Sequence, residues 1–176
     1  IVVTNNFKLF KKLKRLKDQG REGPTTGGED KYVSIGYNFK FTNLQSSLAL
    51  SQIKNINWRM KKLREIYKFY LKNIKQNKYF RIINFNIKSG ELPLWIDVWC
   101  SNRNKLYNFL KSKNIVCRYY WEPINTCKPY KSSFKNLSNS KKLQKKMMWL
   151  PSSLDMSVKE QKKVCEKINY FFSKIN

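Results

Sequence analysis

Ile35-Gly36-Tyr37-Asn38-Phe39-Lys40-Phe41-Thr42-Asn43-Leu44-Gln45-Ser46-Ser47-Leu48-Ala49-Leu50-Ser51-Gln52 changes character at its middle. Up to Phe41 it reads as a loop opened by a glycine. From Thr42 it reads as a capped helix, because Thr42-Asn43-Leu44-Gln45 is a capping box in which the Thr hydroxyl and the Gln side chain each satisfy a free backbone N–H. A helix start carries unpaired N–H groups and partial positive charge, so it attracts anions. Asn38 and Lys40 bring a neutral donor and a cation to the same stretch. Ser46, Ser47 and Ala49 are small enough for close packing on a neighbour. A capped helix that binds nothing has the same pattern, and Asn38 also suits a turn. Both readings stand on the residues alone.

Upstream of that stretch, Ile1 to Thr4 reads as a strand end, entered without an initiator Met or a signal-peptide pattern. Sequence is therefore expected before Ile1. Asn5 or Asn6 caps a helix with Leu9, Leu13 and Leu16 on one face, stopped by Gly20. Residues 20–30 are a loop by composition, without the G-K-[ST] of a phosphate-binding Walker loop. Downstream, Leu48, Ile53, Ile56, Met60, Leu63, Tyr67, Tyr70, Leu71 and Ile74 recur at near-helical spacing. One long helix is predicted. Tyr79 to Asn86 and Ile115 to Tyr120 read as strands. Pro93 to Cys100 alternates, with Leu94, Ile96, Val98 and Cys100 on one face and Trp95, Asp97 and Trp99 on the other. Helices are predicted over 102–113, over 139–148, and from the capping box Ser157-Val158-Lys159-Glu160 to the C-terminal end. From residue 79 this pattern is a small α/β layer domain.

Composition narrows the function classes. The formal charge is +26, from 30 Lys and 7 Arg against 11 acids. Clustered cations bind nucleic-acid backbones. Here the cations are mainly Lys, scattered, and accompanied by Asn, Ile and Tyr, the mixture that AT-rich codons produce. A basic nucleic-acid-binding module is the alternative reading, and no specific nucleic acid is expected. The chain has no His, which removes Ser-His-Asp triads, Cys-His dyads and H-E-x-x-H sites from these residues. Cys100, Cys117, Cys127 and Cys165 form no C-x-x-C, so structural zinc is not expected and buried thiols in a reducing cytoplasm are. No apolar run approaches the roughly 20 residues that span a bilayer.

Taken in chain order, these segments resemble the DegT/DnrJ-type (StrS-like) sugar aminotransferases, a branch of the type I pyridoxal-phosphate fold. Gly36 to Ile53 is similar to that family's G-Y-N-x-[KR]-x-T-N-L-Q-[SA]-[SA]-L-[AG]-x-x-Q-[IL] signature. Ile1 to Asn6 looks like the strand after the cofactor-lysine segment, and Leu16 to Arg21 like the next loop of perosamine synthase-like members. Arg59 to Leu71 resembles the family's "R...I...Y...L" helix, Ile115 to Ile124 its "I-x-T-R-x-x-[FY]-x-P-[LV]" segment, and Leu150-Pro151 the "LP" before its last helix. The resemblance implies an α/β chain, the C-terminal part of a type I fold. Residues 1–43 would end the large cofactor-binding domain, 44–76 would form a long connecting helix, and 77–176 a small α/β domain with a short sheet flanked by helices.

The resemblance also implies roles. The cofactor is pyridoxal 5'-phosphate, and Asn38 reaches its phosphate in the partner subunit of a homodimer. Arg21, Lys40, Arg118, Tyr120, Trp121 and Asn125 fall on the substrate side. Arg118 either pairs with phosphate or braces its loop; Tyr120 and Trp121 either pack on sugar or base or belong to the core. Three positions depart from the family pattern: Asn125 where many relatives have His, Lys40 where Arg is frequent, and Glu122 where an apolar residue is commoner. They put substrate identity in doubt more than fold. The lysine that anchors the cofactor, and the Asp on its ring nitrogen, belong to family sequence before Ile1, so no lysine here is assigned as catalytic. The expected whole is a cytoplasmic enzyme moving an amino group from an amino acid, glutamate by preference, to a nucleotide-linked keto-6-deoxysugar. The fragment alone is expected to be inactive. A non-catalytic family member is the remaining alternative.

Overall fold

The computed structural model describes residues 1–22, 31–123, 126 and 137–174. The chain separates into two compact units, Ile1–Asn55 and Ile56–Asn176.

In the first unit, α1 (Phe7–Lys17) starts where Asn6 accepts the Leu9 N–H at 3.0 Å and ends in a basic turn of Lys14, Arg15 and Lys17. Both features suit the helix dipole. Gly20 N–H returns to the Arg15 carbonyl at 2.8 Å and completes the stop. Two short strands, β1 (Arg21–Glu22) and β2 (Lys31–Tyr32), pair antiparallel. Ile1 to Thr4, expected as a strand end, is in no ladder; a strand needs a neighbouring edge, and none of the described residues supplies one. The Thr42–Gln45 capping box is present in both directions and opens α2 (Asn43–Lys54). Neither helix of this unit buries a residue. Phe39 is 71% and Leu44 75% exposed.

The single helix expected across 44–76 is two. α2 closes at Asn55, whose backbone N–H turns to the Gln52 and Ile53 carbonyls while its side chain donates to Ser51 O at 3.3 Å. A short amide that bonds its own backbone competes with the helical ladder. α3 (Ile56–Asn73) then begins afresh.

The second unit holds the core. Strands β3 (Phe80–Ile82), β4 (Ile96–Cys100), β5 (Arg118–Tyr119) and β6 (Met147–Leu150) form one antiparallel sheet in the order β3-β4-β6-β5. With α3, the helices α4 (Arg103–Ser112) and α6 (Val158–Ser173) bury Tyr67, Tyr70, Leu106, Leu110, Val164, Ile168 and Phe172 against Phe80, Ile96, Val98, Met148 and Leu150. Each such burial contributes roughly 1.5–3 kcal/mol. The Tyr70 hydroxyl, fully enclosed, donates to Pro151 O at 2.8 Å, so its burial leaves no orphan donor. The Ser157–Glu160 capping box opens α6 as expected.

Four details differ from the sequence reading. β3 is shorter than 79–86, because Asn86 caps a 3₁₀ turn at Ile87–Ser89 and takes the chain off the sheet. β5 keeps only two residues of 115–120, although Ile115 and Cys117 are buried. Leu94, read onto one face with Ile96, Val98 and Cys100, lies before β4 begins and is 58% exposed where those three are buried. The helix expected over 139–148 stops early as α5 (Ser138–Gln144), and Met147 onward is the strand β6. A four-residue apolar run such as Met147-Met148-Trp149-Leu150 carries no period that separates strand from helix.

Candidate functional site

The first cluster belongs to the N-terminal unit. Gly20 (φ +80°) and Gly36 lie back to back: a Cβ on Gly20 would sit 1.7 Å from Ser34 O, and one on Gly36 2.1 Å from Gly20 N. Only glycine tolerates both the conformation and the approach. That closeness lets the Tyr37–Asn38–Phe39 segment zip onto the end of α1. Tyr37 N–H donates to Leu16 O at 2.6 Å, Gln19 N–H to Tyr37 O at 3.0 Å, and Phe39 N–H to Lys17 O at 2.9 Å. Asn38 bridges Asp18 through its backbone and is exposed. Its side-chain amide makes no hydrogen bond among the described residues. Asp18 gathers the two cations expected on the substrate side, with Arg21 Nη2 at 3.2 Å from one carboxylate oxygen and Lys40 Nζ at 3.3 Å from the other. Lys40 is thus engaged by Asp18, and the group of three keeps one net positive charge.

The second cluster lies on the face of the four-stranded sheet away from α3, α4 and α6. The pleat sends alternate residues there. Asp97, Trp149 and Arg118 are cross-strand neighbours on β4, β6 and β5. The Trp149 indole Nε1–H donates to Asp97 Oδ1 at 2.5 Å. Around Trp149 lie Trp121, Trp95 and Tyr120, with ring centroids at 4.6, 5.0 and 5.1 Å. Three of the residues expected on the substrate side, Arg118, Tyr120 and Trp121, therefore meet on one surface. Trp121 is 63% exposed, so the core alternative does not describe it. Asn125 lies outside the described residues. Glu122 is exposed and accepts from the Thr126 hydroxyl at 3.4 Å.

Burial holds the Asp97 carboxyl above its ordinary range, against the lowering effect of the indole donor. Tyr120 is pushed up by burial and then by the negative charge of Asp97. Asp97, Trp95 and Trp149 were not foreseen as site residues. Alternation in Pro93 to Cys100 did put Trp95 and Asp97 on the non-core face; nothing local revealed that Trp149 would come to lie opposite Asp97.

The chemistry these clusters support is binding. Aromatic faces stack on sugar rings or bases, and Asp97 accepts hydrogen bonds. Burial pushes the thiols of Cys100, Cys117 and Cys165 to about 11, 12 and 12, far from nucleophilic. Among the described residues no group of His, Cys, Asp and Glu is placed to hold a metal, and no helix is long and apolar enough to cross a membrane. Asn38 does fit a phosphate, as an exposed neutral donor on a loop held to α1 by backbone hydrogen bonds.

The sequence pattern of the DegT/DnrJ/EryC1/StrS aminotransferase family matches residues 1–169. The chain is 25% identical over 182 aligned positions to UDP-4-amino-4,6-dideoxy-N-acetyl-beta-L-altrosamine transaminase of Campylobacter jejuni subsp. jejuni serotype O:23/36 (strain 81-176), covering 99% of this chain and 48% of that protein. It is 26% identical over 179 positions to GDP-perosamine synthase of Escherichia coli O157:H7, covering 98% and 47%. It thus spans about half the length of the curated relatives it matches. Among solved structures, Helicobacter pylori PseC, an aminotransferase involved in the biosynthesis of pseudoaminic acid, superposes with a TM-score of 0.81 at 21% identity, covering 98% of this chain and 48% of that one. The PMP-form of the putative sugar aminotransferase Spr1654 from Streptococcus pneumoniae gives 0.81 at 15%, covering 98% and 47%. The fold is therefore the C-terminal part of the type I pyridoxal-phosphate transferases, and the chain belongs to the DegT/DnrJ/EryC1/StrS aminotransferase family.

Proposed function

We propose that this chain is the C-terminal part of a pyridoxal 5'-phosphate-dependent aminotransferase. The complete enzyme moves an amino group from an amino acid, glutamate in our reading, to the 4-keto group of a nucleotide-linked 6-deoxysugar, in the manner of a perosamine synthase. The observation that carries this reading is the family match across residues 1–169. The relatives named as nucleotide-sugar enzymes support the substrate class.

When bound, the cofactor supplies the electron sink for amino transfer. The residues of this chain bind and orient. Asn38 donates its amide to a cofactor phosphate oxygen, and the Gly20–Gly36 contact holds it in place. Arg118, Tyr120 and Trp121 face the nucleotide sugar. We assign the anchoring lysine to a part of the enzyme outside these residues. The exposed apolar side chains of residues 1–55 suit an interface with the rest of the large domain and with a second subunit, and Asn38 serves the partner subunit's cofactor.

The test is a full-length enzyme carrying the upstream half. It is expected to show the visible absorbance of bound cofactor and to aminate a nucleotide-linked 4-keto-6-deoxysugar. Asn38→Ala is expected to weaken cofactor binding by about tenfold, the worth of one charge-assisted hydrogen bond. A full-length enzyme with neither absorbance nor turnover would sink the reading. Transamination by the 176-residue chain alone would contradict the placement of the lysine.

A further inference from the structure

Arg103 opens α4 and is buried, 9% exposed, with no carboxylate paired to it among the described residues. A buried cation without an anion costs stability, and an apolar side chain of similar volume serves a core better. What the guanidinium does instead is specific. Its Nη1 donates to Gln144 O at 2.5 Å and to Met147 O at 3.5 Å. Nε and Nη2 both turn to Asn104 Oδ1, at 3.1 and 3.0 Å. Its Cζ lies over the Tyr119 ring, 4.2 Å from the centroid, and that ring also stacks on Tyr107 of α4 at 4.3 Å. One side chain thus joins the start of α4, the end of α5, the start of β6 and the edge strand β5.

The two residues it grips are the two that hold Tyr120. Tyr120 N–H donates to Met147 O at 3.4 Å, the carbonyl that Arg103 also reaches. Gln144 Nε2 donates to Tyr120 O at 3.4 Å, while the Gln144 carbonyl accepts from Arg103. β5 ends at Tyr119, so Tyr120 is where the chain leaves the sheet toward Trp121. Alternation along the strand puts Tyr119 on the helix side, against Arg103, and Tyr120 on the open side, against Trp149. Each bond to Tyr120 is long, and neither fixes the backbone by itself. With Gln144 and Met147 tied to one planar fork, both bonds keep their geometry.

We infer that Arg103 is a positioning residue: through Gln144, Met147 and Tyr119 it sets the exit of β5, and so the placement of Tyr120 and Trp121. This role rests on the reading that the complete enzyme holds its nucleotide-linked sugar against those two rings.

The test has a spectroscopic and a kinetic arm. Trp121 packs edge-on against Trp149 and Trp95, so it contributes to the near-ultraviolet circular dichroism of the 176-residue chain. Trp121→Phe subtracts that contribution. In an Arg103→Met background the same subtraction is expected to be less than about half as large, at a temperature where every variant is fully folded. In the full-length enzyme, Arg103→Met is expected to raise KM for the nucleotide sugar about tenfold, while kcat and the absorbance of bound cofactor stay within about twofold. Gln144→Met deletes the donor to Tyr120 O and keeps the carbonyl that Arg103 uses. Its KM is expected to rise about threefold, and it carries both arms where Arg103→Met does not fold. Arg103→Lys, which retains the charge without the fork, is expected to fall between Arg103→Met and the parent.

A KM unmoved in both Arg103→Met and Gln144→Met would overturn the role. So would a full-size Trp121 signal in folded Arg103→Met, or losses shared equally by kcat, KM and cofactor absorbance, which a general loosening of the fold produces. The functional reading fails separately. A parent enzyme with neither cofactor absorbance nor turnover refutes the reaction, and the circular dichroism still decides whether Arg103 places Trp121.

Discussion

Gly20 and Gly36 show how single residues decide whether Asn38 has an address. Alanine at Gly20 meets Ser34 O and must also hold a φ of +80°; the backbone conformation alone costs about 1–3 kcal/mol. Gly20→Ala is expected to release the segment from α1, so that the Tyr37 and Phe39 amides exchange with solvent much faster than in the parent chain. Amides that stay equally protected would show that the segment is held by other means. Asp97 gives a pH signature. Its folded pKa is raised chiefly by burial, so ionisation costs the folded state more than the unfolded one. That cost is absent at pH below the unfolded carboxylate value of about 3.9 and grows as pH rises through the folded value. Asp97→Asn keeps an acceptor for the Trp149 indole and removes the charge. It is expected to raise Tm at pH 7 and to match the parent near pH 3; an equal Tm at both values would show the carboxyl to be well solvated. The sequence marked Asn38, Lys40, Arg118, Tyr120 and Trp121 through the family resemblance. It left Asp97 unmarked because that residue acquires its role from Trp149, 52 positions away.

At the scale of elements, local chemistry was legible wherever it is self-contained. Both capping boxes, Thr42–Gln45 and Ser157–Glu160, are closed within four residues, and the alternation of β4 reads directly as core face and open face. Ser157→Ala removes the hydroxyl that accepts the Glu160 N–H and is expected to cost about 1 kcal/mol. In urea this appears as a lower midpoint with an unchanged slope; an unaltered midpoint would mean that water replaces the cap without cost. Elements that depend on distant partners were less legible. β6 was hidden in an apolar run with no period, and the break at Asn55 depends on one side chain choosing Ser51 O over solvent. Ile1 to Thr4 has strand character and no edge among these residues to join.

The whole molecule divides by where apolar area is buried. The C-terminal unit encloses Tyr70, Phe80, Ile96, Leu106 and Ile168 almost completely, while Ile1–Asn55 buries no large apolar side chain among its described residues. Packing, more than propensity, stabilises helices of this length. In the isolated chain, backbone amides of β4 and β6 are expected to exchange far more slowly than those of α1 and α2, and an apolar dye is expected to bind. Uniform protection across both units, with no dye bound, would show that the first unit has found cover. The sequence by itself determined the family, the capped helix behind Gly36 and the alternating face of β4, because these rest on residues close in the chain. Tertiary structure alone decided which residues share a surface: Asp18 drawing in Arg21 and Lys40, and four of the five tryptophans gathered on one sheet face or its edge. Those groupings follow from strand order and register, which hydrogen-bond partners far apart in the chain must settle together.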